Sequence, residues 1–254
     1  MYSLSESGSI YTNDKIGPEI YRMQIKLPLT AQKARAGQFI HVKINDSSRI
    51  LRRPISISGA YPESGIVEII YRVVGPGTEN MSKMKTGDFL DILGPLGKPF
   101  ELPVENSIAV GGGVGIAPIL FLSRQSKENL LTVVIGGRNE EEVFWKDLFP
   151  EKVKKVVVTT DDGSYGIKGY SVAVLPEILK DGNTKKMYVC GPLPMMKKAV
   201  EIADNSNVEC EVSLERRMGC GTGTCLACVC NKVNGGHAKV CSDGPVFKSS
   251  EVIL

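Results

Sequence analysis

Ser107-Ile108-Ala109-Val110-Gly111-Gly112-Gly113-Val114-Gly115-Ile116-Ala117-Pro118 runs from small and apolar residues into a turn of glycines and out into a second apolar stretch. A buried strand that turns directly into a helix reads this way. Missing side chains at the turn let backbone N–H groups and the positive end of the helix approach an anion such as a pyrophosphate. The spacing is not G-x-G-x-x-G, and taken alone it fits a tight strand–helix turn equally well. The residues that follow decide the fold. Leu130–Ile135 and Val153–Thr159 read as strands, Glu140–Leu148 as a short helix, Tyr170–Leu179 as a helix and Met187–Cys190 as a fourth strand. Leu193–Asn205 reads as a helix that tolerates Pro194 in its first turn. Strands alternating with helices predict a parallel sheet covered on both faces. Thr160-Asp161-Asp162-Gly163-Ser164 and Cys190-Gly191-Pro192 follow the third and fourth strands. With the glycine turn they fall at carboxyl ends of strands, where open α/β sheets bind ligands.

Upstream the texture differs. From Tyr11 to Pro103 short runs with β-branched residues (Tyr21–Leu27, Phe39–Ile44, Ile55–Ser58, Val67–Val74 and Phe89–Leu93) are broken by Gly, Pro and Asp. Five or six short strands without a convincing helix predict a small antiparallel barrel. From Glu211 a third texture begins, rich in Cys and Gly. The predicted organisation is a barrel over 1–103, a parallel-sheet domain over 104–210 and a small C-terminal unit over 211–254.

The chain has 254 residues, 42% of them hydrophobic, enough for a real core. A formal charge of +3 from 31 basic and 28 acidic residues gives no reason to invoke nucleic acid or a membrane surface. No apolar run reaches the roughly 18 residues that a membrane span needs, and Met1–Ile10 is polar, without a signal-like hydrophobic stretch. The expectation is a soluble cytoplasmic protein.

Seven cysteines are an odd number for a disulfide framework, and five lie between Cys220 and Cys241. Cys220-x4-Cys225-x2-Cys228, closed by Cys241, has the ligand spacing of a plant-type [2Fe–2S] loop. Gly221 and Gly223 inside the loop let backbone N–H groups approach sulfur, which helps set the reduction potential. The competing reading is a structural zinc site; the spacing and the glycines favour iron. Cys230 is a spare that reads as a packing residue, as does Cys210. Cys190 reads either as a neighbour of a nicotinamide or as a buried strand-end thiol.

In the β-rich half, Arg52-Arg53-Pro54-Ile55-Ser56, Ile70-Tyr71-Arg72 and Gly77-Thr78 combine charged and hydroxyl groups suited to a phosphate and a ribityl chain. Neither histidine has a catalytic assignment: His41 lies in a strand and His237 in a Gly-rich turn.

At these residues the sequence resembles the ferredoxin–NADP reductase superfamily. Arg53-Pro54-Ile55-Ser56 is similar to its R-x-Y-S flavin motif, with isoleucine in the tyrosine place. Gly111–Pro118 resembles its pyrophosphate loop, and Cys190-Gly191-Pro192 its C-G-P motif. Residues 213–221 and Val240–Phe247 resemble, more narrowly, the electron-transfer subunits of NAD-dependent dihydroorotate dehydrogenase. The resemblance implies FAD on Arg53, Pro54, Ile55, Ser56, Ile70, Tyr71, Arg72, Gly77 and Thr78. It implies a [2Fe–2S] cluster on Cys220, Cys225, Cys228 and Cys241. Gly111, Gly112, Gly113, Gly115, Asp161, Cys190, Gly191 and Pro192 are the candidates for NAD(H). The implied partner is an FMN-containing dihydroorotate dehydrogenase catalytic subunit, two of each forming a heterotetramer. Dihydroorotate would reduce the partner's FMN, and electrons would pass through the cluster to FAD and on to NAD⁺ in pyrimidine biosynthesis, with no catalytic acid or base needed on this chain. The small subunit of an electron-bifurcating NADH-dependent ferredoxin:NADP oxidoreductase shares this layout, and a zinc-stabilised binding module is the reading from another class. Glu140-Glu141-Glu142 disfavours the 2′-phosphate of NADP, whereas Arg138 in the same loop argues the other way. Asp161 or Asp162 either holds a ribose or caps a turn.

Overall fold

The computed structural model describes residues 4–44 and 50–254, so the first three residues of the polar N-terminal stretch lie outside the described part. Six strands close a barrel in the order β1-β2-β5-β4-β3-β6. They are β1 (Leu4–Gly17), β2 (Ile20–Lys26), β3 (Phe39–Lys43), β4 (Arg53–Tyr61), β5 (Ile66–Arg72) and β6 (Phe89–Leu96). Every pair in the barrel is antiparallel. Met23, Ile25, Ile40, Val42, Ile57, Val67, Ile69 and Ile92 fill its interior without solvent contact. Each contributes about 1.5–3 kcal/mol by leaving water. β1 was not apparent in the sequence because its first half is polar. It forms nevertheless, because pairing with both β2 and β6 leaves no open edge.

The expectation of a helix-free half is corrected by two short helices, α1 (Pro28–Lys33) and α2 (Pro76–Lys83). Each begins with proline in the first turn, where a missing N–H costs nothing. The Thr78 hydroxyl accepts from the Val74 and Gly75 N–H groups at 3.0 and 3.3 Å, fixing the entry to α2. At the far end of α2, the Asn13 amide donates to the carbonyls of Met81 and Met84, while its oxygen accepts from the Tyr71 hydroxyl at 3.0 Å. α2 is therefore fastened to the barrel at both ends.

The second layer is a seven-stranded sheet in the order β10-β9-β8-β7-β11-β12-β15. Its strands are β7 (Ser107–Gly112), β8 (Leu131–Gly137), β9 (Lys155–Thr160), β10 (Ile167–Lys168), β11 (Lys186–Cys190), β12 (Glu209–Ser213) and β15 (Val246–Lys248). All neighbours are parallel except β15, which joins antiparallel to β12. The helices are α3 (Ile116–Gln125), α4 (Leu175–Leu179) and α5 (Leu193–Asn205). The helix expected over Glu140–Leu148 is a 3-10 helix kinked at Val143. The one expected over Tyr170–Leu179 begins as a 3-10 turn and becomes α4 where Pro176 occupies the first turn. A small ribbon of β13 (Val229–Asn231) and β14 (His237–Lys239) completes the C-terminal region.

A buried charge pair joins the two layers. Glu68 on β5 is 1% exposed and accepts from the Arg124 guanidinium of α3 at 2.7 Å and from the Ser58 hydroxyl at 3.1 Å. Arg124 also donates to the Ser58 carbonyl at 3.0 Å, and Gln24 donates to the other Glu68 oxygen at 3.2 Å. A second join lies at the opposite end of β11. There the buried Lys186 ammonium reaches Glu101, just past the barrel, at 2.5 Å and Glu211 at 3.2 Å. Burial works against that charge, but Glu101 and Glu211 outweigh it and hold the ammonium above its usual range.

Replacing Arg124 by methionine leaves the Glu68 carboxylate buried without its cation, which costs about 3–5 kcal/mol. A urea titration of the variant should show a lower midpoint with an unchanged slope. An unchanged midpoint would mean that the pair does not hold the layers together.

Candidate functional site

The strand order of the sheet reverses between β7 and β11. At such a point the connections leave in opposite directions and open a crevice at the carboxyl ends of the strands. The structure brings together there two segments singled out in the sequence. A side chain on Gly115 would lie 2.6 Å from the Gly191 Cα, and one on Gly191 would lie 3.0 Å from the Gly112 backbone. Gly111 and Gly112 are equally closed, against Ile116 and against Met195 and Pro192. Gly113 differs: it has φ +56° and open space where a side chain would stand. The glycines thus pack two turns closely while leaving backbone bare at the mouth of α3, which has no side-chain cap on its first N–H groups. Cys190 is the buried strand-end thiol. Burial pushes it up to about 12, only partly offset by the Ser213 side chain, so it is neither a thiolate nor a nucleophile. Burial likewise pushes the packing residue Cys210 up to about 12.

The loops after β8 and β9 lie farther along the edge. Asp162 caps a turn, accepting from the Ser164 N–H and hydroxyl at 2.9 and 2.7 Å. Asp161 is exposed and is the carboxylate of the two left to reach a ribose. Arg138 is engaged by Glu142, whose carboxylate accepts from its guanidinium and its backbone N–H. That hydrogen bond with Arg138 holds the Glu142 carboxyl below its usual range. Glu142 also lies 3.9 Å from Arg72.

On the barrel side, β4 begins at Arg53, and its first residues, Pro54, Ile55 and Ser56, are all half-buried. The Arg53 side chain lies over Gly77 at the start of α2, where an added Cβ would come within 2.9 Å of its guanidinium carbon. Guanidinium, bare backbone and the entry of α2 form a cradle fit for a diphosphate. Arg72 and Arg22, one strand apart and paired through Ile70 and Ile20, both have a buried Nε without a hydrogen-bond partner. Such groups call for an acceptor. Ile70 and Tyr71 have almost no solvent contact, the Tyr71 hydroxyl is taken by Asn13 and its ring stacks on Tyr21, so the structure leaves neither open to a ligand. Arg52 turns away to Asp91 in a bidentate pair at 2.8 and 2.9 Å.

The C-terminal loop is built around sulfur. The Cys220 Sγ accepts from the N–H groups of Thr222, Thr224 and Cys225 at 3.3–3.4 Å. The Cys225 Sγ accepts from the Cys220 N–H at 3.4 Å. Cys241 donates its N–H to the Cys228 Sγ at 3.4 Å. Burial pushes the Cys220 thiol up, but these N–H groups outweigh it and set it at about 5. Cys241 goes the other way, up to about 12, through burial and the neighbouring Cys228. Among the described residues no three His, Cys, Asp or Glu side chains gather around one ion position. Hydrogen bonds link Cys220 with Cys225 and Cys228 with Cys241, an arrangement that fits a two-iron cluster. Cys230 is buried on β13 opposite Ala238 and packs in the core there.

One residue of this region was passed over in the sequence. His41 on β3 has no solvent contact, and neither ring nitrogen has a hydrogen-bond partner. Burial and then the Arg52 charge lower it to about 4, so the imidazole is neutral. The available signal was a histidine flanked on both sides by apolar residues in Phe39-Ile40-His41-Val42. His237, by contrast, is exposed and bonded to Asn231 at 3.0 Å.

Family models match three consecutive parts of the chain. An oxidoreductase FAD-binding domain matches residues 8–100, an oxidoreductase NAD-binding domain 109–201, and the iron-sulfur cluster binding domain of dihydroorotate dehydrogenase B 215–253. The electron transfer subunit of dihydroorotate dehydrogenase B (NAD(+)) from Fusobacterium nucleatum is 38% identical over 257 residues, covering 97% of this chain and 98% of that one. The corresponding protein from Caldanaerobacter subterraneus is 40% identical over 249 residues, covering 96% of this chain and 97% of that one. A solved structure of NADH-dependent reduced ferredoxin-NADP oxidoreductase, studied for flavin-based electron bifurcation, matches with a TM-score of 0.87 at 31% identity, covering 97% of this chain and 89% of that one.

Arg53→Ala should release FAD on dialysis, since a charge-assisted contact to a phosphate contributes about 1.5–3 kcal/mol. Full retention, read from the flavin absorbance, would remove Arg53 from the cradle. Cys225→Ser should abolish the visible and EPR signals of the cluster and Cys230→Ser should leave them intact; the reverse pattern would exchange the two assignments.

Proposed function

The chain belongs to the family of electron transfer subunits of NAD(+)-dependent dihydroorotate dehydrogenase B, and we propose that it carries electrons from an FMN-bearing catalytic subunit through a [2Fe–2S] cluster and FAD to NAD⁺ in pyrimidine biosynthesis. It is an oxidoreductase subunit with FAD-, NAD- and iron–sulfur-binding domains. The observation that carries the assignment of roles is the seating of the four-cysteine loop on the barrel. Gly221 lies against His41, and His41 is the cross-strand partner of Pro54 in the flavin motif.

The roles come from the family likeness, and the geometry supports them. Arg53, Gly77 and Thr78 hold the FAD diphosphate, and Pro54, Ile55, Ser56 and Arg72 line the flavin. Gly111, Gly112, Gly113 and Gly115 with Gly191 and Pro192 receive the NAD diphosphate and nicotinamide, Asp161 holds a ribose, and Cys190 packs beneath. Cys220, Cys225, Cys228 and Cys241 hold the cluster. A bound flavin supplies the exchange between one-electron and two-electron traffic that a cluster and a nicotinamide cannot make directly. The protein's own part is positioning, exclusion of water and tuning by N–H donors, with no acid or base required. The units are 1–103, 104–210 and 211–254. The working assembly is a cytoplasmic heterotetramer of two such chains and two catalytic subunits.

Among the described residues no helix is long and apolar enough to cross a membrane. Leu226, between two of the cysteines, is 61% exposed, and Cys225 beside it is exposed as well. An apolar side chain next to an accessible ligand suits a partner that covers the cluster. The structural likeness to NADH-dependent ferredoxin-NADP oxidoreductase favours one alternative, in which the partner and second acceptor differ.

Reconstitution with the catalytic subunit separates the two. Dihydroorotate should then reduce NAD⁺, and the isolated chain should show NADH-dependent reduction of artificial acceptors alone. Ferredoxin-linked activity without dihydroorotate oxidation would establish the alternative. In stopped flow, NADH should reduce the flavin far faster than NADPH, because Glu142 occupies Arg138; equal rates would refute that reading of the loop. Leu226→Glu should weaken association with the catalytic subunit while leaving the NADH reaction of the isolated chain unchanged, as measured by gel filtration and diaphorase assay.

A further inference from the structure

His41 combines two properties that rarely occur together. Its imidazole has no solvent contact, yet both ring nitrogens are without a hydrogen-bond partner. A buried polar group left unsatisfied is costly, and a native structure keeps one where something else supplies the partner. The surroundings show what that is. A Cβ on Gly221 would lie 2.6 Å from the His41 Nδ1 and 3.2 Å from its Cε1, so the backbone of the cluster loop rests directly on the ring. Gly221 has φ +73°, and the same added Cβ would lie 3.2 Å from the side chain of Leu96 on β6. The backbones of Cys220 and Arg52 come near enough to favour the protonated ring, but neither reaches hydrogen-bond geometry. The ring itself is fixed from behind. Phe39 meets it edge-on at 6.4 Å, and His41 pairs with Pro54 on β4 and with Leu93 on β6.

We propose that His41 is a positioning residue for the iron–sulfur cluster: its imidazole is the seat of the Cys220–Gly221 turn and hydrogen-bonds through Nδ1 to the backbone of that turn when the cluster is bound. The proposal rests on the cluster assignment above and adds a residue from outside the cysteine motif. Its consequence is twofold. The turn that carries the Thr222, Thr224 and Cys225 N–H groups toward the Cys220 Sγ is held by a side chain of the barrel, so those donors keep their aim. The same side chain braces the loop against the strand next to the flavin motif, so that it contributes to the spacing of the two cofactor sites.

The test compares holoproteins purified with FAD and cluster, carrying His41→Phe, His41→Asn or His41→Gln. Phenylalanine keeps the ring volume and removes both nitrogens. Asparagine places an amide where Nδ1 stands, and glutamine places it where Nε2 stands. His41→Phe should keep its FAD but show altered EPR g-values and a more negative cluster midpoint potential, because misaimed N–H groups stabilise the reduced, more negative cluster less well. His41→Asn should restore the wild-type spectrum and potential, and His41→Gln should not. If the Phe variant does not accumulate, the contrast between Asn and Gln decides, and identical behaviour of these two would overturn the proposal. It is also overturned by wild-type g-values and potential in His41→Phe, or by loss of FAD together with the cluster, which would mean that His41 merely packs the barrel. A wild-type protein with full FAD and no iron–sulfur signal would overturn the cluster assignment and this proposal together.

Discussion

Glu68 is a carboxylate with almost no water around it, and the group that makes its burial tolerable comes from the other layer of the molecule. A buried charge that loses its partner is far more costly than a buried pair that never formed. The barrel and the sheet therefore keep one relative placement, and the cofactor sites inherit it. The flavin motif starts the strand β4 whose far half meets Arg124, and the glycine turn starts the helix that carries Arg124 near its end. Any ligand held at Arg53 and Gly77 and any ligand held at Gly113 are thereby registered to each other through this ion pair and the two elements it joins, with the Lys186 join beside it.

The cluster loop uses a different economy. It has little hydrophobic interior of its own, and it obtains its shape from sulfur accepting backbone N–H groups and from glycines that let other parts of the chain approach. Gly221 meets His41, Gly223 meets Ser242, and Gly97 on the barrel side meets Pro245. A side chain at any of the three would displace a neighbour by atoms that have nowhere to go, since Gly221, Gly223 and Gly97 also hold positive φ angles.

Much of this was legible in the sequence, and the limits have physical causes. The alternation of strands and helices after Ser107 and the spacing of Cys220, Cys225, Cys228 and Cys241 are local patterns, so they survive without knowledge of the fold. Leu193–Asn205 was read to the residue because Pro194 and an amphipathic pattern mark it. β1 was missed in part because it is polar, and its stability comes from two partners distant in sequence. Glu140–Leu148 reads as an α-helix, but Glu142 turns back to Arg138 and the segment kinks at Val143. The reading of Arg138 as a counterweight to the acidic run changed for the same reason, since a charge counted in sequence is neutralised in space. His41, Arg22, Glu68 and Arg124 act through contacts between elements, which no local pattern records.

β15 carries one more implication. After leaving the cluster loop, the chain returns to lie antiparallel on β12, while Gly244 accepts from Lys98 and Pro245 from Leu214. The iron–sulfur region is thus sewn into the edge of the nucleotide sheet and pressed on the barrel at once. A carrier on a tether can swing between donor and acceptor and trade speed for reach. This one is held on two sides, and electron flow through it is conduction along a fixed line, whose direction and timing are left to whatever binds at its two ends.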